Sequence, residues 1–577
     1  MRSKKISAIL TKYPLVGGLV GVSWALVMFR GVLFASSEVI WADNFDGNLI
    51  YWILEWGFHA LTQTGEPWNF WHANTFHPMS YSLAVSDSLL AAQIFYSPLR
   101  MFGISPVSAV YIASAMTFVT GAVLTDYFGK KIGLRKLSER FALVVAAHCL
   151  MPNTMMLYHY QLFGFQLAPG FLLALVWFLE SAALIALFWT CLLYCAASCY
   201  STYLAPMLLV VALPICLGYF LPQLSRNGLA ATAKRYYSIQ NLTVAAFFAG
   251  CLYYVQLRPY LELNKNFGRV GYGEARLYSA HWLSILFGKS INSFWYGNIA
   301  YSHGDWERTQ FLGYTALSIL LISVLTLFFR LLYRKESREI RNMTFWLLIF
   351  LWIWSLSMGP FMIGTNIRLP FRWMAEVTPG LSNVRAPGRF GMLWGVPLGM
   401  LLIFMIREIK RPDFQSILLF IISGMVLFES APNFKTEPFR RKLWTRYSEI
   451  AGNLPQGSTL LELPLAVGDN YEVIMNAMDQ MKGSTLHWAR IVSGYGAKSS
   501  PAFDKALDLD RRARQGEMEI LEFFDFMSEN DFRYLLIHFD QMPVSYASDW
   551  RKAIVHCTNC KTLMNKDYLL LDTRAGG

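Results

Sequence analysis

A chain of 577 residues with 55% hydrophobic, 16% aromatic and only 15% charged residues lacks the charge needed to solvate several soluble domains. Its net charge of +12, from 50 basic against 38 acidic residues, would suit a nucleic-acid partner in a soluble protein. Here the basic residues sit in short clusters between long apolar stretches, the pattern of loops that orient an integral membrane protein, so no nucleic acid is expected.

Arg2, Lys4, Lys5 and Lys12 precede an apolar stretch near 14–35, longer than the core of a usual signal peptide and read as an uncleaved first span. Four more basic clusters follow, from Lys130 to Arg140, Arg226 to Arg235, Arg330 to Arg341 and Arg407 to Arg411. If all five face the cytoplasm, an even number of spans separates each neighbouring pair. The apolar piece 88–103 is marginal in length and interrupted by Pro98 and Arg100, so it is expected as a helix at the outer interface. Spans are expected near 14–35, 106–128, 141–158, 166–180, 182–200, 202–222, 239–257, 309–331, 343–363, 389–407 and 414–430, about eleven in all.

The N-terminus is then cytoplasmic and, the number being odd, the C-terminus lies outside. The long segments 36–105, 258–308, 364–388 and 432–577 all face outward. No cytoplasmic loop can house a nucleotide-binding domain, and no P-loop or Gly-rich dinucleotide motif occurs. Chemistry on the outer side therefore calls for a substrate already delivered there, such as one carried on a lipid. A channel or secondary transporter fits less well, because its ionisable and helix-breaking residues would gather mid-membrane.

The first outer loop holds the densest chemistry. Asp43 and Asp46 follow the first span directly, and Glu55, His59, His72, His77 and Asp87 come after, among many tryptophans. The spacing predicts an amphipathic helix over 48–61, with Leu49, Trp52 and Trp56 on one face and Glu55 and His59 on another. Either acid could simply cap that helix, within an interfacial aromatic belt. The functional reading is a carboxylate held at the lipid–water boundary as a general base.

Six of the eight cysteines fall in spans, and Cys191, Cys195 and Cys199 form one helical stripe that reads as packing. Cys557 and Cys560 form a C-x-x-C with no second pair or suitable histidines nearby, so zinc is not expected and a local disulfide is. From APNFKTEP near 432 the sequence turns mixed and charged. Strands are expected at 458–463, 533–538 and 567–572 and helix within 503–528, which suits a small α/β domain over 432–577 without a catalytic constellation of its own.

Asp46, Trp52, Trp56, His59 and the FHP at 76–78 together resemble the first loop of bacterial GT-C class membrane glycosyltransferases. The resemblance continues in order through YHYQLFGFQLAPG at 158–170, WERTQFLGYTAL at 306–317, LPFRWMAEVTPGLSNVRAPGRFGML at 369–393, LLELPL at 460–465 and HWARIVSGY at 487–495. It implies an α-helical polytopic fold, a GT-C-like membrane domain over 1–431 that includes loop 36–105, and an extracytoplasmic domain over 432–577. It implies an enzyme of the bacterial inner membrane, moving a sugar from a polyprenyl-phosphate-linked donor to a glycan, lipid or protein acceptor on the outer face.

Within that resemblance Asp46 matches the essential first-loop acid best and Asp43 is the alternative. The family usually has Gly before the acid, whereas Phe45 precedes Asp46 and Ala42 precedes Asp43, so both stay open. A carboxylate base would assist the poorly nucleophilic acceptor hydroxyl, and in-line attack would invert the anomeric carbon. Arg385 and Arg389 of RAPGR, with Arg368 and Arg372 nearby, suit the departing phosphate or, equally, headgroup anchoring. His159 and Gln161, at an outer span end, could orient donor or acceptor; Glu55, His59 and His77 are acceptor-side candidates. A divalent metal stays open, since Asp43 and Asp46 form a D-x-x-D pair, but two carboxylates do not define a metal site. The other class of function is a non-catalytic lipid-linked-glycan flippase or envelope assembly factor on a degenerated transferase fold. It would depend on mid-membrane polar residues instead of the loop acids.

Overall fold

The computed structural model describes residues 14–35, 38–41, 44–150, 152, 159–267, 272–286, 308, 310–333, 337–433, 436–439, 444–465, 468, 470–555, 561–564 and 567–574. Among them eight helices are long and apolar enough to cross a membrane: Leu15–Leu33, Pro106–Lys131, Tyr160–Ser181, Leu204–Tyr236, Tyr314–Leu332, Arg338–Ser357, Pro387–Arg407 and Pro412–Glu429. Each falls on an expected span. The other three expected spans are helical but short. Leu137–Cys149 has 13 residues, Leu184–Tyr200 has 17, and Ile239–Leu252 has 14 before it passes into a π turn at Tyr253–Leu257. At 1.5 Å rise per residue the second of these reaches only about 26 Å. Residues 151 and 153–158, the far end of the expected span 141–158, lie outside the described residues. By length and composition the described helices thus give eight spans, where about eleven were expected. The stretch 88–103 forms the nine-residue helix Gln93–Met101, far too short to cross.

Small residues let the helices close. Gly17 and Gly21 of the first span face Ala122 and Val119, and a Cβ on Gly17 would stand 2.3 Å from the Ala122 carbonyl oxygen. Polar groups inside the bundle tie helices together. Arg140 donates to Asp126 at 2.8 Å, the Gly17 N–H donates to the other Asp126 oxygen at 2.9 Å, and His148 bonds Thr125 at 2.8 Å and Gln166 at 2.7 Å. The span Pro387–Arg407 is buried along its whole length, enclosed by Leu137–Cys149, Tyr314–Leu332, Arg338–Ser357 and Pro412–Glu429.

Two short strands, β1 (Val39–Trp41) and β2 (Thr436–Pro438), pair antiparallel and join the chain just after the first span to the chain just after the last described one. The C-terminal part holds β3 (Thr459–Leu463), β4 (Arg490–Ile491), β5 (Tyr534–His538), β6 (Lys561–Met564) and β7 (Tyr568–Asp572), in spatial order β4-β3-β5-β7-β6. β3 runs parallel to β4 and β5, and β7 is antiparallel to β5 and β6. Both β3 and β5 are buried at every residue, as near-continuous apolar strands covered on two faces must be. The three expected strands coincide with β3, β5 and β7. The expected helix within 503–528 is two, Pro501–Gln515 and Glu522–Glu529, because Gly516 adopts a left-handed φ of 75° and closes the first. Cys557 and Cys560 lie outside the described residues, so the expected disulfide does too.

Loop 44–105 docks on this sheet. The Phe76 N–H donates to Ser493 O at 3.1 Å, the His77 N–H to Ile491 O at 3.0 Å, and the Ile491 N–H to Asn74 O at 2.7 Å. The loop is therefore clamped between the helix bundle and the C-terminal part, which fixes the residues it presents.

Candidate functional site at the loop end of the bundle

The helix Asn44–Thr62 opens the loop, and Asp46 sits in its first turn. There the unpaired N–H groups and the positive end of the helix dipole favour a carboxylate. Asp46 is thus inside the helix and not its cap. Asp43, the alternative acid, lies outside the described residues.

His159 and Gln161 reach Asp46 from the start of another helix. The 3-10 turn Tyr160–Leu167 opens the span Tyr160–Ser181, and the Leu162 N–H donates to His159 O at 2.9 Å, so the two side chains project from one tight turn. His159 bonds Asp46 Oδ2 through Nδ1, and Gln161 Nε2 donates to the same oxygen at 3.0 Å. Tyr160, between them, packs on Tyr111 with ring centroids 5.5 Å apart and locks the turn onto the helix Pro106–Lys131. The Gln161 Oε1 atom is buried and accepts from none of the described residues, leaving an acceptor beside the carboxylate for a hydroxyl to meet.

The fourth member is Arg389, in the 3-10 turn Pro387–Leu393 at the head of the buried span. Only 3% of it is exposed, and its guanidinium lies 5.4 Å from the centroid of the Tyr203 ring. Gln310 holds the turn by donating through Nε2 to Gly388 O at 2.5 Å, and Ser357 Oγ donates to Gln310 Oε1 at 2.9 Å. On the Tyr203 side, Asp87 Oδ1 accepts from Ser201 Oγ at 3.1 Å, Thr202 N at 3.0 Å and Thr202 Oγ1 at 3.1 Å, which fixes the turn carrying that ring. Gln310, Tyr203 and Asp87 as supports of Arg389 were missed by the sequence reading. Their only signal there is polarity, in the first outer loop for Asp87 and at the starts of expected spans for Tyr203 and Gln310.

Electrostatics give the cluster its character. Burial pushes the Asp46 carboxyl up, but the His159 charge and hydrogen bond, the Gln161 amide and the Arg389 charge outweigh it and hold the group well below the usual carboxylate range. Asp46 is therefore an ionised carboxylate in a site from which water is largely excluded, its side chain 15% exposed. Asp87 behaves oppositely: burial pushes its carboxyl up, and the Thr202 and Ser201 hydrogen bonds and the Arg389 charge only partly offset that.

The other candidates are placed elsewhere. Glu55 lies nine residues further along the same helix, about 13 Å on the axis. There it pairs with Arg100 at 2.6 Å and accepts from Tyr96 Oη at 2.5 Å. His59 bonds Gln63 at 2.8 Å and stacks on Trp488 at 4.1 Å, and His77 packs edge-on to Phe532 at 5.2 Å. Burial lowers the pKa of both imidazoles. Arg385 pairs with Glu274 at 3.9 Å, and Arg372 pairs with Glu376 at 3.1 Å while lying 4.0 Å from the Tyr272 ring. Among the described residues no group of three or more His, Cys, Asp or Glu side chains is placed to hold a metal ion. Asp46 instead commits one oxygen to two nitrogen partners.

No family model matches the chain, and no curated protein matches it in sequence. Among solved structures it is similar to the arabinofuranosyltransferase AftD from Mycobacteria, determined by cryo-EM, with a TM-score of 0.52 at 13% identity. The superposition covers 97% of this chain and 40% of that one, so the chain spans less than half of the mycobacterial protein's length. The likeness covers nearly all of this chain and is one of fold, in agreement with the polytopic membrane fold that the sequence resemblance implied.

Proposed function

We propose that this membrane protein is a glycosyltransferase that moves a sugar from a polyprenyl-phosphate-linked donor to a glycan, lipid or protein acceptor at the outer face of the bacterial inner membrane, with inversion. The observation that carries this reading is the meeting of Asp46, His159, Gln161 and Arg389 at one end of the bundle, from segments up to 343 residues apart in sequence. Such a group suits a displacement at an anomeric carbon. The leaving lipid phosphate gains charge as the C1–O bond breaks, and a preset guanidinium is placed to stabilise it without reorganisation. The acceptor hydroxyl must lose a proton as it attacks, and the Asp46–His159 pair supplies a place for it, worth roughly 10²–10⁴-fold in rate. Gln161 would hold that hydroxyl through its open Oε1. In-line attack opposite the phosphate inverts the anomeric centre.

The transport alternative has less support. The polar groups inside the bundle, Asp126, Arg140, His148 and Gln166, are engaged in ties between helices. The deciding experiment is mass spectrometry of envelope glycans from a deletion strain and from strains restored with wild type or Asp46→Asn at matched protein level. Loss of a fixed sugar mass that only wild type restores is the expected result. Unchanged glycans in all strains would overturn the reading in favour of transport or assembly.

A further inference from the structure

Asp46 Oδ2 is met by Nδ1 of His159 and Nε2 of Gln161. An ionised carboxylate has no proton to give, so the proton in its bond with His159 belongs to Nδ1. In its neutral form the imidazole then carries its lone pair on Nε2. A carboxylate that takes two nitrogen donors on one oxygen and faces the Arg389 charge is a poor proton acceptor, whereas the neutral imidazole offers a nitrogen lone pair.

We propose that His159, rather than the loop acid, is the general base, and that Asp46 is its positioning residue. The inference rests on the glycosyl-transfer reading above and assigns the proton within it. As the acceptor oxygen bonds to the anomeric carbon, its O–H proton passes to His159 Nε2. The C1–O bond breaks with its electron pair leaving on the lipid phosphate, and the proton is released afterwards to water. Asp46 faces the imidazolium and offsets its charge, as a buried carboxylate does in other oriented histidine bases. The groups meeting the pair agree with this division. Gln161 adds a neutral donor to Asp46 and keeps it acceptor-only, and Arg389 adds a positive charge that disfavours protonation of the carboxylate. His159 is mostly buried, with 11% of its side chain exposed, and its Nδ1 bond to Asp46 sets the orientation of the ring.

The test uses the full chain purified into liposomes, with a labelled lipid extract from the producing membrane as donor and its envelope glycans as acceptor. His159→Gln retains an amide donor for Asp46 but cannot take a proton; it is expected to lose about 10²–10⁴ in kcat with little change in melting temperature. His159→Ala should lose as much and recover part of its rate on addition of free imidazole, which a merely structural role would not allow. The double variant with Asp46→Asn should be barely worse than either single one, since the two act as a unit. The inference is overturned if His159→Gln turns over near the wild-type rate, or if folded His159→Ala gains nothing from imidazole. If His159→Ala fails to fold, His159→Gln alone decides. Absence of transfer by wild type would instead sink the glycosyltransferase reading itself.

Discussion

Replacing Arg389 tests the proposed stabilisation of a departing phosphate. The guanidinium is buried, lies 5.4 Å from the Tyr203 centroid, and is held from behind by the Gln310–Gly388 bond. A preset donor aimed at charge that develops in a water-poor site is worth about 2.7–4 kcal/mol, or roughly 10²–10³ in kcat. The contact with Tyr203 contributes about 0.5–2 kcal/mol to holding the group in place. Arg389→Met should therefore lower kcat by ~10²–10³, because charge and plane are both lost. Arg389→Lys keeps the charge but not the fork, and a loss of about tenfold, or 1.4 kcal/mol, is expected. Single-turnover transfer in liposomes measures the chemical step, and melting curves with added polyprenyl monophosphate measure product binding. Wild type should be stabilised by the lipid phosphate and Arg389→Met should not. A kcat for Arg389→Met within about threefold of wild type, with the same response to polyprenyl monophosphate, would refute the assignment.

Three further outcomes are expected. The Asp46 carboxyl is depressed on folding, so the stability it contributes is fully present above its ordinary value of 3.8 and is lost as pH falls through the lower folded value. The melting-temperature gap between wild type and Asp46→Asn, followed by intrinsic fluorescence, should therefore narrow as pH falls below about 4. Asp126→Asn removes the buried ion pair with Arg140 and should cost about 3–5 kcal/mol, seen as lost folded yield; a well-folded, transfer-dead variant would point to a functional polar path through the bundle. Gln310→Ala frees the turn that carries Arg389 and should reduce kcat about tenfold while the melting temperature falls by only a few degrees, checked by the same transfer assay.

The parts of the fold that the sequence made legible are those set by local chemistry. Apolar stretches of bilayer length fell on all eight long helices, and short apolar runs placed β3, β5 and β7. Span count was less legible, because a run such as 182–200 is apolar enough but loses residues to the turns at its ends, leaving 17 in the helix. Glu55 shows a second limit. Its spacing from Trp52 and Trp56 suggested a polar face, yet it is buried in an ion pair, since the short helix Gln93–Met101 covers that side. Periodicity reports how a helix is faced and says nothing of which distant segment covers it. For the same reason Asp46, His159, Gln161 and Arg389 were each named from the sequence, but their convergence is tertiary. The carboxylate and the imidazole stand 113 residues apart in sequence.

The enclosed position of Pro387–Arg407 bears on how the protein is made. A ribosome delivers the Asp46 loop early and the Tyr160–Ser181 span soon after. The guanidinium that completes the cluster arrives only with a helix that is 100% buried and must enter a slot lined by earlier neighbours and sealed by Pro412–Glu429 after it. A half-translated chain therefore holds its carboxylate and imidazole without their cation. Biosynthesis then withholds the complete cluster until the bundle is nearly whole and, on the proposed reading, any reactivity toward lipid phosphates with it.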